Sequence, residues 1–190
     1  MEEKFLIKGG KKLKGEIEIS GCKNAATPIL AATLLTEEDC IIDNLPLIED
    51  IFSMIEILQN LGAKIEWQNK KRIKVNTKNI NLKNINKKTI QKLRSSILIL
   101  GPLLARFGKI ELPQPGGCII GSRPIDAHIR GLKEIGVKSQ QNKDYYSFQI
   151  KEIKNNKITL PEFSVTATEN ILLFSSILKQ TTTLKIAAIE

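Results

Sequence analysis

The sequence predicts an α/β fold (α+β in some schemes) made from a strand–helix–strand–helix–strand unit that occurs about two and a half times. Two segments carry this prediction. Asp50 to Ile65 and Asp126 to Lys138 both repeat apolar residues at helical spacing and then reach a glycine, Gly62 or Gly136. A glycine directly after a helix commonly forms its left-handed cap. Because self-similarity along a chain indicates stacked units, we expect the copies to share a core.

A second predicted helix precedes a short strand in each copy. Ala25 to Leu35 leads into Cys40-Ile41-Ile42, and Ser95 to Arg106 leads into Lys109 to Leu112. Alternating or apolar runs predict the strands that join the copies. These runs are Lys14 to Ile19, Lys71 to Val75 and Lys157 to Leu160.

The third copy is predicted to be half a unit. It has a helix from Thr168 to Leu178 and a strand from Thr183 to Ile186, and the sequence stops four residues later. A repeat unit cannot bury its apolar faces alone, so we expect this half copy to expose core surface unless other chain completes it. Accidental similarity of one helix and one strand is the alternative.

Charge and composition limit the functional classes. The formal net charge is +9, from 29 Lys and Arg against 20 Asp and Glu. Many lysines lie in Asn- and Ile-rich stretches typical of solvated surfaces, and basic residues are not interleaved with aromatic ones for base stacking. Nucleic-acid binding therefore stays a minor alternative, and selected arginines suit an anionic small molecule equally well.

Three widely spaced cysteines and one histidine argue against a structural metal site, and no cofactor is predicted. No apolar run approaches the roughly 20 residues that cross a bilayer. The first residues lack the pattern of a secretion signal. We expect a cytoplasmic protein without membrane contact.

The segment from Pro115 to Asp126 is the sharpest local motif. Gly116 and Gly117 give the backbone freedom just before Cys118, and Arg123 follows five residues after the thiol. A nearby cation favours the thiolate, so Cys118 is a candidate reactive residue. An inert cysteine buried in a turn is the alternative on local chemistry.

Other candidates stand at predicted helix starts. Lys23 lies where a strand passes into a helix, a place where free backbone N–H groups and a lysine can hold phosphate; an exposed lysine is the plain alternative. Arg94 could bridge phosphate oxygens or pair with a carboxylate. Asp126 is expected to cap its helix, and His128 to be a satisfied, non-catalytic histidine unless the loop binds a ligand.

Taken together, these motifs resemble one family. Gly21-x-Lys23-Asn24-Ala25-Ala26, Leu93-Arg94-Ser95-Ser96, Gly101 to Gly108 and the string from Pro115 to His128 match the UDP-N-acetylglucosamine 1-carboxyvinyltransferases, members of the enolpyruvyl transferase family. The match extends from about Phe5 to Glu190. It implies an inside-out α/β barrel, here incomplete. It also implies transfer of enolpyruvate from phosphoenolpyruvate to the 3′-hydroxyl of UDP-N-acetylglucosamine, with release of phosphate.

The resemblance also implies roles for residues. Lys23 and Cys118 would be catalytic, with Cys118 the proton donor to C3 of phosphoenolpyruvate, a covalent adduct site and the target of fosfomycin-type epoxides. Lys23, Asn24 and Arg123 would bind phosphoenolpyruvate. The residues that would bind UDP-N-acetylglucosamine are Arg94, Arg123, Pro124, Ile125, Asp126, Ala127, His128, Ser164 and Val165.

Three residues depart from the family pattern. Cys22 stands where the family has a small residue, and Glu162 stands where some members have a basic residue. Thr166 stands where the family has a glycine. Residues 1–19 would be a strand segment of another domain, and residues 20–190 the cysteine-loop domain, with repeats near 20–75 and 90–150 and a half repeat at 157–190. The family's general-base aspartate and a phosphate-binding arginine would lie beyond Glu190. We therefore expect an incomplete fragment, or a nucleotide-sugar-binding module that works with a separate C-terminal chain.

Overall fold

Helices and strands alternate along the chain in the computed structural model, which describes residues 4–116, 124–154 and 156–189. The helices are α1 (Lys23–Ala32), α2 (Glu49–Leu61), α3 (Lys87–Lys92), α4 (Leu100–Phe107), α5 (Asp126–Ile135) and α6 (Val165–Ser175). The strands are β1 (Cys40–Ile42), β2 (Lys64–Asn69), β3 (Arg72–Asn76), β4 (Lys109–Pro113), β5 (Val137–Gln141), β6 (Tyr145–Ile150), β7 (Lys157–Thr159) and β8 (Thr183–Lys185). Short 3-10 turns occupy Thr33–Leu35, Leu82–Asn84 and Arg94–Ile99. The predicted α/β class is confirmed.

Two three-stranded antiparallel sheets have the same strand order. The first is β1-β3-β2 and the second is β4-β6-β5, so in each sheet the last strand of a hairpin lies in the middle. Helix α2 precedes the first hairpin and α5 precedes the second. Each helix ends at a left-handed glycine, Gly62 with φ of 108° and Gly136 with φ of 116°. The two segments that the sequence pairs as copies therefore occupy equivalent places in the fold.

The third unit is smaller within the described part of the chain. Strands β7 and β8 pair in parallel, with Lys157 opposite Thr183, and α6 connects them. Helix α6 packs against α4 and α5. The third unit therefore contributes one helix to the common core.

The helices bury their apolar sides in one continuous core. Its largest fully buried side chains include Phe148 of β6 and Phe174 of α6, together with aliphatic residues of α1 and α2. Arg106, at the end of α4, ties this core to the first unit. Its guanidinium donates to the carbonyl oxygens of Leu34 and Thr77 at 3.3 and 2.8 Å and pairs with Glu37 at 3.0 Å.

The predicted strand from Lys14 to Ile19 is wrong for this structure, because these residues belong to no β ladder. A sequence with alternating apolar and polar residues becomes a strand only when a neighbouring strand exchanges backbone hydrogen bonds with it. Residues 4–19 instead expose their large apolar side chains, which are Phe5, Leu6, Ile7, Leu13, Ile17 and Ile19. Two boundaries also differ. The helix predicted from Ser95 starts as the 3-10 turn Arg94–Ile99, and α6 starts at Val165, before Thr168.

Candidate functional site

The start of α1 presents a lysine beside unpaired helix amides. Cys22 is the N-cap and makes no side-chain capping bond, and no acidic residue occupies the first turn. Asn24 is exposed. Gly21 comes so close to the Asn44 carbonyl that a Cβ would overlap it, so glycine is required for this entry into the helix. The helix start can therefore attract an anion.

Lys23 already has a carboxylate partner. Its Nζ lies 2.9 Å from Oδ2 of Asp50, at the start of α2, and the two side chains are 50% and 37% exposed. An ion pair this exposed contributes little to stability. The lysine is thus held near the start of α1 by a partner that an incoming phosphate could replace.

A second group of candidates meets where the 3-10 turn at Arg94, the start of α5 and the start of α6 converge; we call it the Arg94 corner (Arg94, Pro124 to His128 and Ser164 to Thr166). Arg94 Nη2 donates to the Pro124 carbonyl at 3.1 Å. This bond joins residues that are 30 positions apart in sequence. The arginine is therefore anchored to the loop that leads into α5.

Helix α5 begins without a side-chain cap. Ile125 is the N-cap, Asp126 is the first helical residue, and Ala127 is buried. The prediction that Asp126 caps the helix is therefore wrong: a residue inside the first turn cannot fold its carboxylate back onto the amides as an N-cap does. Its negative charge still lies at the positive end of the helix dipole.

His128 is 2% exposed and has a partner on the neighbouring helix. Its Nε2 lies 3.1 Å from the Thr166 hydroxyl. Burial, followed by the positive charge of Arg94, lowers the pKa of His128 to about 4. The histidine is therefore neutral at physiological pH, which agrees with a bonded residue that does not exchange protons near neutrality.

Ser164 and Val165 form the start of α6. Ser164 is the N-cap, and its hydroxyl accepts a hydrogen bond from the Ala167 amide at 3.4 Å. Val165 is the first helical residue. Both are partly buried, next to Thr166 and its bond to His128. The corner thus joins two of the predicted nucleotide-binding segments, those at His128 and Ser164.

Tyr146, Thr166 and Asn170 belong to the same region and were not singled out as binding residues from the sequence. Tyr146 lies on β6 opposite Leu112. Burial raises the pKa of the Tyr146 phenol, and the charge of Asp126 raises it further, while that of Arg94 lowers it. Only the tertiary fold reveals this proximity, since no local pattern marks a tyrosine in a strand as close to a helix start.

Cys118 and Arg123 lie outside the described residues, but the chain on both sides of them is placed. The Gly116 amide donates to the Ile90 carbonyl at 3.4 Å, and a Cβ on Gly116 would overlap the Gln91 carbonyl. On the other side, Pro124 is bonded to Arg94. Gly116 therefore lies beside the end of α3, and Pro124 lies at the Arg94 corner.

Two absences concern residues 4–116, 124–154 and 156–189 only. No group of three or more His, Cys, Asp or Glu residues there could hold a metal ion. No helix in those ranges is long and apolar enough to cross a membrane.

Residues 7–190 match the sequence model of EPSP synthase (3-phosphoshikimate 1-carboxyvinyltransferase). The chain belongs to this family. Within it, the chain is similar to UDP-N-acetylglucosamine 1-carboxyvinyltransferases: 39% identical to that of Dichelobacter nodosus over 99% of this chain and 45% of the relative. The corresponding protein of Helicobacter pylori is 44% identical over 97% of this chain and 44% of the relative. The predicted resemblance is confirmed.

Solved structures of an enolpyruvyl transferase and of an EPSP synthase share the fold. The enolpyruvyl transferase NikO from Streptomyces tendae superposes with a TM-score of 0.74 at 20% identity, over 93% of this chain and 42% of NikO. EPSP synthase from Acinetobacter baumannii gives 0.66 at 17% identity, over 88% and 39%. The chain thus spans less than half the length of the curated relatives and solved structures that it matches.

Proposed function

We propose that this chain carries the cysteine-loop part of a UDP-N-acetylglucosamine 1-carboxyvinyltransferase. The observation that carries the proposal is the Arg94 corner, where a partly buried arginine, the start of α5 and the start of α6 are joined by hydrogen bonds. These are the segments that the resemblance assigns to UDP-N-acetylglucosamine. The names of the most similar relatives support the same substrate.

Two groups of residues divide the substrates between them. Lys23, Asn24 and Arg123 bind phosphoenolpyruvate, with Lys23 exchanging the Asp50 carboxylate for phosphate. The nucleotide sugar is bound by Arg94, Arg123, Pro124, Ile125, Asp126, Ala127, His128, Ser164 and Val165. Fixed cations suit this task because both substrates carry phosphate and because the charge of the intermediate develops beside them.

The reaction is an addition followed by an elimination. Cys118 gives a proton to C3 of phosphoenolpyruvate, and the 3′-hydroxyl of the sugar attacks C2, losing its proton to a base. The tetrahedral intermediate then loses a proton from C3 and inorganic phosphate from C2, which leaves the enolpyruvyl ether. By resemblance, the base and a further phosphate-binding arginine belong to the part of the relatives that this chain does not cover. We expect little or no turnover by the 190 residues alone.

The finer architecture belongs to the same proposal. The two equivalent units and the smaller third unit form part of an inside-out α/β barrel, with residues 20–190 as the cysteine-loop domain and residues 1–19 paired with another domain. The exposed apolar side chains of residues 4–19 support this assignment. They equally favour a second candidate, a nucleotide-sugar-binding module that works with a separate C-terminal chain. We place the protein in the cytoplasm, where both substrates would be found.

Thermal unfolding with and without UDP-N-acetylglucosamine tests the proposal. A ligand at about 100 times its Kd stabilises the folded state by about 2.7 kcal/mol, which raises the Tm of a chain this size by roughly 5–10 °C. The Arg94→Met variant should lose this shift. Arg130→Met, at an exposed position on α5, is the matched control and should keep it. An absent shift for the unmodified chain would refute nucleotide-sugar binding.

Phosphate release separates the two candidates. The chain alone, supplied with both substrates, should release no phosphate above background. Adding the C-terminal part of a relative as a separate polypeptide should restore release if the chain is a split subunit. Robust release by the 190 residues alone would contradict two expectations: that the general base lies outside this chain, and that turnover needs a partner chain.

Labelling by a fosfomycin-type epoxide tests the role of Cys118. Peptide mass spectrometry should find the adduct on Cys118 in preference to Cys22 and Cys40. Burial and the neighbouring Asp39 raise the pKa of the Cys40 thiol, so Cys40 is the less reactive internal control, whereas Cys22 is exposed and controls for access. Equal labelling of Cys22 and Cys118 would argue against an activated Cys118.

A further inference from the structure

Three hydrogen bonds join the segments of the Arg94 corner into a closed ring. Arg94 donates to the Pro124 carbonyl, and His128 bonds the Thr166 hydroxyl, both at 3.1 Å. One turn further along α6, Asn170 Nδ2 donates at 3.1 Å to the carbonyl of Ile97, three residues after Arg94. Each bond links a different pair of segments, so no segment can shift without straining two bonds.

The Asn170 side of the ring is buried and fully used. Asn170 is 0% exposed, and its Oδ1 accepts from the Gly101 amide at 2.7 Å. Its Nδ2 also donates to the Thr166 carbonyl at 3.0 Å. A Cβ on Gly101 would overlap the Asn170 carbonyl, so the α4 and α6 backbones touch here. Helix α6 is therefore fixed against the turn that carries Arg94.

The His128 side of the ring joins α5 to α6 through one side-chain hydroxyl. Nε2 of His128 lies 3.1 Å from the Thr166 hydroxyl. The backbone of Ile125 and of Thr166 also interacts with the ring, and these hydrogen bonds oppose the lowering of the His128 pKa by burial. A hydroxyl can donate or accept, so it suits either tautomer of the imidazole. The Thr166 hydroxyl thus fixes the orientation of the His128 ring relative to α6.

We propose that Thr166 is a positioning residue for nucleotide-sugar recognition: its hydroxyl holds His128, and through His128 holds the start of α5 in register with Arg94 and with Ser164–Val165. The proposal rests on the proposed function, because it assigns these segments to one ligand. Thr166 acts without touching the ligand. Its hydroxyl lets α6 define the spacing between contacts that come from three parts of the chain.

Two variants of position 166, compared with the unmodified chain, test this proposal. Thr166→Ser keeps the hydroxyl, Thr166→Val keeps the shape and removes it, and the unmodified chain is the reference. His128 is the sole histidine, so imidazole ¹⁵N NMR reports on it without assignment ambiguity. Isothermal titration with UDP-N-acetylglucosamine gives the affinity of each variant, and urea unfolding verifies that each one folds.

Removing one net hydrogen bond should weaken binding roughly 3- to 10-fold in Thr166→Val, while Thr166→Ser should stay within about 2-fold. The ¹⁵N signals of the His128 ring should agree in the reference and in Thr166→Ser. In Thr166→Val the Nε2 signal should move, because this nitrogen has lost its hydroxyl partner.

Each contrary outcome has its own meaning. A Thr166→Val spectrum identical to the reference would overturn the positioning role, because the hydroxyl would then not be bonded to the imidazole. Unchanged affinity in Thr166→Val, with a changed spectrum, would overturn the link from His128 to the ligand. Absence of binding by the unmodified chain would overturn the proposed function itself, and the ligand role of Thr166 with it.

Discussion

The start of α1 and the Arg94 corner are both built at helix starts, but they differ in what surrounds them. At α1 the functional candidate, Lys23, is half exposed, and its partner Asp50 lies on the surface. At the corner, Ala127, His128 and Asn170 are buried, and hydrogen bonds connect separate segments. A solvated lysine can exchange partners when an anion arrives, whereas a bonded corner is ready before the ligand binds.

The largest effect is expected from Asn170→Leu. This change keeps the size of the side chain but leaves the buried Gly101 amide without its Asn170 partner. It also removes the bond from α6 to the Ile97 carbonyl, which still accepts from the Leu100 amide. We expect a loss of about 3 kcal/mol in the free energy of unfolding, measured with urea. Asn24→Leu, at an exposed position of α1, is the matched control and should change stability by less than about 0.5 kcal/mol. Similar losses of unfolding free energy in both variants would show that the corner is no more tightly held than the exposed start of α1.

Acid should weaken the corner through His128. Its pKa is about 4 in the folded chain against 6.5 in the unfolded chain, so the unfolded state binds the proton first as pH falls. Stability from this group is fully present above pH 6.5 and declines down to about pH 4, by at most about 3 kcal/mol.

Urea unfolding at several pH values between 4 and 7 measures this slope. His128→Gln removes the only histidine, so its slope over the same range should be shallower by the His128 contribution. Parallel slopes in the two proteins would show that His128 does not carry the pH dependence.

Asp50→Asn should produce the smallest change in stability. The Lys23–Asp50 pair is solvated, so its loss should cost less than about 1 kcal/mol. The affinity for phosphoenolpyruvate should instead rise roughly threefold, because the carboxylate no longer competes for Lys23. Titration calorimetry measures the affinity for phosphoenolpyruvate. Lys23→Met is the comparison variant and should lose phosphoenolpyruvate binding. Weaker binding in Asp50→Asn would show that Asp50 supports the anion site.

Two of the helices were predictable from sequence because helical periodicity followed by glycine is a local signal. Helices α2 and α5 and their caps at Gly62 and Gly136 follow directly from it. The alternating run from Lys14 to Ile19 failed as a strand because a ladder needs a partner that local sequence does not supply. Strands β5 and β6 carry mixed polar residues and were not predicted, although their pairing with β4 builds the second sheet.

The candidate site also has a part that the sequence predicts and a part that only the tertiary structure shows. The sequence by itself determined the α/β class and the candidate residues Lys23, Arg94 and His128, because motifs and helical periodicity depend on residues that are close together in the chain. The tertiary structure alone decided that His128 meets Thr166, 38 positions away, and that Asn170 reaches Ile97, 73 positions away. Such pairs depend on how three helices pack, and packing is a property of the whole core.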